Sequence, residues 1–243
     1  MKILGIIPAR YASTRFPGKP LVYIEGKTMI HRVYEQAMKS SLLDKIIVAT
    51  DHYSIFEHVA EFGGNVIMTS DLHPSGTDRC NEVITKIPDS FDFVINIQGD
   101  EPFIHPKQIE LLCNNLDKDT QIATLVKKID TLAALYNINI PKVVFNESHE
   151  AIYFSRHPIP YLRGVDEDLW LAKHKYYKHI GIYAYRSDVL SEITKLKPSS
   201  LELAESLEQL RWIQNGYKIK AAITEFDSYG IDTPEDLEQL KYR

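Results

Sequence analysis

Cysteine is scarce, with only Cys80 and Cys113 among 243 residues. Two thiols far apart on apolar segments build neither a disulfide framework nor a metal cluster, so both are expected in the core. No two of the nine histidines stand at metal-ligand helical spacing, which leaves zinc without support. Cationic excess is missing as well, because a net charge of −5 gives no basic field to gather nucleic acid. Long apolar runs are also missing. The opening stretch Ile3-Leu4-Gly5-Ile6-Ile7 is far shorter than a signal core or the roughly 20 residues of a membrane span, and a cytoplasmic protein without membrane insertion is the expectation. Repeats, low-complexity tracts and Pro/Gly/Ser linkers are absent, which argues for one domain over 1–243.

What is present is an ordinary globular balance, 44% apolar and 25% charged, arranged in a regular rhythm. Apolar runs at 3–8, 45–51, 65–69 and 91–98 read as strands, and amphipathic stretches at 29–40, 53–62, 76–87 and 106–116 read as helices. That alternation predicts an α/β fold, a doubly wound and mainly parallel sheet with ligands at the carboxyl ends of its strands. After a strand at 122–128 the rhythm loosens. Strands at 142–145, 151–155 and 177–185 with long connections suggest a smaller insertion lobe over about 130–200. A helix at 201–215 ending at Gly216, a strand at 218–224 rejoining the sheet and a last helix from Pro234 complete the expected order.

Behind the first strand runs Pro8-Ala9-Arg10-Tyr11-Ala12-Ser13-Thr14-Arg15-Phe16-Pro17-Gly18-Lys19-Pro20, which carries three cations and two hydroxyls and no acid; Glu25 is the first carboxylate of the chain. Arginine forks, a lysine charge and backbone N–H groups at a strand end suit a polyphosphate. The competing reading is a solvated basic surface loop. Gly26-Lys27-Thr28 resembles the tail of a P-loop, but the glycine required five residues earlier is Leu21, so the triplet reads as a turn. No G-x-G-x-x-G follows a strand, which removes the usual dinucleotide fingerprint.

Two aspartates are candidates for a magnesium site. Asp100 follows the strand that ends in Asn96-Ile97-Gln98-Gly99, and Asp232 precedes Thr233-Pro234, where the threonine already supplies the helix cap. Magnesium is commonly held by one or two carboxylates together with phosphate oxygens. Two loop aspartates that merely end strands are the alternative.

Taken together, several segments closely resemble the 3-deoxy-manno-octulosonate cytidylyltransferases, nucleotidyltransferases of a GT-A-like fold. They include the 8–20 loop, Ile47-Val48-Ala49-Thr50-Asp51, Ser75-Gly76-Thr77-Asp78-Arg79, Asn96-Ile97-Gln98-Gly99-Asp100-Glu101-Pro102, Tyr153-Phe154-Ser155-Arg156, His179-Ile180-Gly181-Ile182-Tyr183, Leu207-Glu208-Gln209-Leu210-Arg211 and Gly230-Ile231-Asp232-Thr233-Pro234. The resemblance implies coupling of CTP to 3-deoxy-D-manno-octulosonate (KDO), an acidic sugar, to give CMP-KDO and pyrophosphate for lipopolysaccharide biosynthesis, with Mg2+ as cofactor and a homodimer as the assembly. It further implies that Arg10, Lys19, Asp100 and Asp232 are catalytic and that Asp100 and Asp232 hold the metal. CTP would lie against Ala9, Arg10, Arg15, Lys19, Ser75, Gly76 and Arg79, and the sugar against Gln98, Arg156, His179, Tyr183, Glu208 and Gln209. Read from its residues alone, Glu208 is equally a partner for Arg211 on its own helix. Asn137-Ile138-Asn139-Ile140-Pro141 departs from the family's usual Asn-Pro-Asn stretch, and His157 takes a place often held by alanine. Alternatives are a cytidylyltransferase for another acidic sugar, such as a sialic acid or an amino-substituted octulosonate, and a non-catalytic nucleotide-binding regulator.

Overall fold

The structure is a computed structural model that describes residues 1–12 and 16–239. It opens with β1 (Ile3–Ala9), nearly all apolar because both faces of a central parallel strand are covered. A short hairpin of β2 (Tyr23–Ile24) and β3 (Lys27–Thr28) follows. Its turn is Glu25-Gly26, with φ of 47° and 83°. The Gly26-Lys27-Thr28 triplet is therefore only partly a turn: Lys27–Thr28 is strand, and Thr28 caps α1 (Met29–Met38) by accepting from the His31 N–H. Then β4 (Lys45–Thr50), α2 (Tyr53–Glu61), β5 (Val66–Met68), α3 (Gly76–Lys86), β6 (Phe93–Asn96) and α4 (Pro106–Asn114) alternate as their periodicity predicts.

Next come β7 (Ile122–Lys128), α5 (Leu132–Tyr136), β8 (Lys142–Phe145), β9 (Ala151–Ser155), α6 (Trp170–Lys173), β10 (Tyr177–Arg186) and α7 (Ser187–Ile193). The expected single helix over 201–215 is in fact two, α8 (Ser200–Glu205) and α9 (Gln209–Gln214). They part at Ser206, which takes the left-handed conformation at φ 51°, ψ 49°. A helix cannot continue through such a residue, and no glycine or proline announces the break. The chain closes with β11 (Ile219–Ile223) and α10 (Pro234–Gln239).

The main sheet runs β11-β7-β10-β6-β1-β4-β5. β1 pairs in parallel with β4 and β6, β4 with β5, and β11 with β7. Strand β10 lies within the stretch read from sequence as an insertion, yet it threads the centre of the sheet, antiparallel to β6 and β7. One core layer contains Ile7, Val33, Val48, Ile95, Leu112 and Cys113, and the other Leu4, Ile6, Cys80, Val83, Val94 and Trp212. Both thiols are thus buried, one on each side of the sheet.

A satellite cluster of Ile129, Leu135, Trp170 and Tyr176 lies under the connection before β10. Lys142 on β8 is fully buried and its Nζ donates to the Asn137 carbonyl at 3.0 Å, tying down the stretch that departs from the family pattern. Among the described residues no helix is long and apolar enough to cross a membrane.

Candidate functional site

Parallel pairing brings the carboxyl ends of β1 and β6 side by side, so Pro8-Ala9-Arg10 and Gln98-Gly99-Asp100 leave the same edge of the sheet. Their approach is tight. A Cβ on Gly99 would lie 2.5 Å from the Pro8 carbonyl oxygen, so only glycine fits there. Helix α3 begins over this edge, with Ser75 as N-cap accepting from the Asp78 N–H. Its free backbone N–H groups and dipole favour an anion in front of it.

Between these elements opens a pocket of about 340 Å³. Ala9, Arg10, Lys19, Ser75, Gly76, Arg79, Gln98, Asp100 and Asp232 all line it. Every described residue expected at the nucleotide and the metal is therefore in one place. Arg15, like Ser13 and Thr14, lies outside the described residues. His73 and Pro74 also line the pocket and were not singled out from the sequence. His73 Nε2 is held by Glu82, whose carboxylate also accepts from the Ser70 N–H and pairs with Lys86. The sequence signal available was their place directly before Ser75-Gly76.

The Lys19 ammonium is the centre of the charge pattern. It bonds Asp100 Oδ2 at 2.7 Å and Asp232 Oδ1 at 3.2 Å, with its side chain 13% exposed. The two aspartates, remote in sequence, meet because the Ile231 N–H donates to the Asp100 carbonyl at 2.9 Å. Behind Asp232 the start of α10 caps itself: Asp236 Oδ2 accepts from the Asp232 and Thr233 N–H groups, and the Asp236 N–H donates to Thr233 Oγ1. The Asp232 carboxylate faces Lys19. Two hard carboxylates converging on one cation are a donor set that suits magnesium.

Arg79 lines the pocket, but its guanidinium bonds Asp51 at 2.8 Å and Thr69 Oγ1 at 2.5 Å. Glu101, beside Asp100, is buried, and burial pushes its carboxyl up to about 7, with the Asp100 charge adding and a Ser228 hydrogen bond opposing.

The residues expected at the sugar are more dispersed. Only Gln98 lines the pocket, its Nε2 donating to the Gly181 carbonyl at 2.8 Å where β10 bulges against β7. Glu208 touches the pocket wall from behind, accepting from Ser75 and Thr77 hydroxyls at 3.0 Å each. It also stands 3.6 Å from Arg211, the ion-pair partner read from the residues alone. Burial raises its carboxyl pKa, against those hydroxyls and Arg211.

Tyr183 on β10 is paired with Asn96 of β6. The Tyr183 hydroxyl, Gln209 Nε2 and Asn96 Oδ1 are buried without hydrogen-bond partners among the described residues. His179 Nε2 contacts Thr124 Oγ1 at 3.1 Å, and burial pushes the imidazole down to about 3, which keeps it neutral. Arg156 lies outside the pocket lining and staples the corner between α8 and α9. It donates to the carbonyls of Glu205, Ile138 and Ser206.

The same sequence has many relatives. Residues 4–219 match the family model described as cytidylyltransferase. A 3-deoxy-manno-octulosonate cytidylyltransferase of Parabacteroides distasonis is 59% identical over 98% of this chain and 96% of its own length. That of Cytophaga hutchinsonii is 57% identical over 98% of this chain and 95% of its own. A solved structure of CMP:2-keto-3-deoxy-manno-octonic acid synthetase complexed with CTP aligns with a TM-score of 0.92 at 43% identity, over 100% of this chain and 98% of that one. The 4-diphosphocytidyl-2C-methyl-D-erythritol synthase of Anaerococcus prevotii, at a TM-score of 0.63 and 13% identity over 100% of this chain and 97% of that one, is similar in fold alone.

Proposed function

We propose that this chain, which belongs to the 3-deoxy-manno-octulosonate cytidylyltransferase family, binds CTP in the pocket between β1, β6 and the start of α3 and couples it to KDO, giving CMP-KDO and pyrophosphate. The observation that carries this reading is the convergence of Lys19, Asp100 and Asp232 beside Arg10 at the strand ends. A triphosphate brings dense negative charge. Arg10, Lys19 and the start of α3 supply the opposite sign where those oxygens would lie.

The sugar's anomeric hydroxyl attacks the α-phosphorus: an O–P bond forms, the bond to the α,β-bridging oxygen breaks, and pyrophosphate leaves in line. Catalysis rests on positioning and on neutralising charge at the phosphates, and no side chain is assigned as general base. Asp100 and Asp232 would hold a magnesium ion, since they are hard oxygen donors already gathered on one cation. When bound, such an ion neutralises phosphate charge and lowers the pKa of an attacking hydroxyl.

For the sugar, the unpartnered Tyr183 hydroxyl and Gln209 amide, with Gln98 and Glu208, are groups that hydroxyls would satisfy. Arg156 has N–H groups beyond the three taken by carbonyls and can still meet the sugar carboxylate. His179 completes this wall as a neutral ring. A homodimer follows from the family resemblance, and the exposed Ile152 on β9 and Leu203 on α8 are apolar side chains that such a contact would cover. A substrate drawn from the nucleotide pool fits a cytoplasmic location.

Pyrophosphate release with CTP, saturating magnesium and a panel of sugar acids tests the reading. KDO should outrun a sialic acid and an amino-substituted octulosonate. Asp100→Asn and Asp232→Asn should each slow turnover by about a hundredfold or more, the scale of several kcal/mol lost at a metal site. Wild-type turnover in either variant overturns the metal assignment. The absence of release with every sugar acid would instead mark a nucleotide-binding regulator.

A further inference from the structure

The first cation of the loop, Arg10, is followed by a residue held from three sides. The Tyr11 N–H donates to Asp51 Oδ1 at 3.2 Å, and its ring stacks on His52 with centroids 4.0 Å apart and planes 18° from parallel. The Tyr11 carbonyl accepts from the Gly18 N–H at 3.0 Å. Gly18 sits at φ +70°, and a Cβ there would stand 3.4 Å from the Tyr11 ring. Both flanks of the loop, Arg10 on one side and Lys19 on the other, are therefore tied to Tyr11.

Asp51 is itself fixed from below. Its other oxygen, Oδ2, takes Arg79 Nη2 at 2.8 Å, and the two side chains are 10% and 4% exposed. Arg79 Nη1 continues to Thr69 Oγ1, which donates to the Thr50 carbonyl at the end of β4. A carboxylate with a donor on each oxygen has no isosteric substitute. An asparagine would turn its oxygen to the buried guanidinium and set an NH2 against the Tyr11 N–H.

We propose that Asp51 is a positioning residue: clamped by Arg79, it fixes the Tyr11 backbone and thereby places Arg10 in the nucleotide pocket. This rests on the CTP reading given above. It also assigns Arg79 a task besides lining the pocket, as the buried anchor of the loop.

A double-mutant cycle tests it, with CTP affinity read by calorimetry and the KM for the sugar acid read separately. Asp51→Asn should weaken CTP by about tenfold, the scale of one hydrogen bond to a charged group, and leave the KM for the sugar acid unchanged. In an Arg10→Ala background the same substitution should have no further effect on CTP. An affinity within twofold of wild type overturns the inference, and so does an equal loss in both backgrounds, which would mean that Asp51 acts apart from Arg10. Should Asp51→Asn show no cooperative thermal transition, His52→Ala takes its place. It removes the stacked ring without touching the buried pair, and should weaken CTP by about threefold only while Arg10 is present; unchanged affinity overturns the inference. If Arg10→Ala alone binds CTP as wild type does, the phosphate role of Arg10 falls and takes this inference with it.

Discussion

His179 illustrates how a single side chain reports its surroundings. In the folded protein burial holds its pKa down to about 3 from an ordinary 6.5, so the folded state keeps it neutral while the unfolded chain takes a proton below 6.5. Its contribution to stability is present above pH 6.5 and is lost as the pH falls from there toward 3. Between pH 7 and pH 5 the loss should be about 2 kcal/mol, visible as a drop in the urea midpoint that His179→Gln largely removes. A variant with the wild-type pH dependence would refute it. None of this was legible in the sequence, where His179 is one of nine histidines on an apolar stretch. Asp100 and Asp232 were legible, because each stands at the end of a recognisable element. The Asp51–Arg79 pair was not, since its meaning depends on a backbone N–H that a sequence does not locate.

At the scale of elements, the alternating strands and helices through α4 follow from sequence pattern, because short continuous apolar runs buried on both faces alternate with helices whose buried face repeats at 3.6 residues. The break between α8 and α9 does not. Its cause is one residue, Ser206, in a conformation that sequence patterns without glycine rarely signal. The break turns α9 so that Gln209 is buried and Glu208 reaches Ser75 and Thr77. A β-branched residue resists the left-handed conformation more strongly than serine. Ser206→Val should therefore lose about 1–2 kcal/mol in thermal unfolding and raise the KM for the sugar acid. Full stability and an unchanged KM would show that the corner is held by its neighbours, including the Arg156 bonds, and not by Ser206. The central place of β10 was equally hidden, since strand order is a long-range property that local pattern does not encode.

For the whole molecule, exposed large apolar side chains occur along the whole chain, from Tyr53 and Leu72 to Ile152 on β9 and Leu203 on α8. Ile152 is 57% exposed and Leu203 70% exposed. Charge placed at a buried dimer contact is costly. If the proposed homodimer forms through Ile152 and Leu203, the double variant Ile152→Glu with Leu203→Glu should sediment at a lower mass than the wild type, and equal masses would remove these residues from that proposal. A second molecular property follows from Lys19. Its ammonium serves as counterion to both aspartates, so a divalent cation at the proposed site would have to compete with a tethered charge that never diffuses away. A triphosphate changes that contest by offering Lys19 other anions. Under the proposed assignment, affinities for nucleotide and cation would be thermodynamically linked, each raising the other by the same factor. Titration of magnesium should give weak binding to the free protein and much tighter binding with a non-hydrolysable CTP analogue present, while Lys19→Ala should narrow the gap by strengthening the first. Equal magnesium affinity with and without nucleotide would break the link. On the proposed metal assignment, the lysine would act as a gatekeeper of order, holding the two aspartates until a nucleotide draws it away.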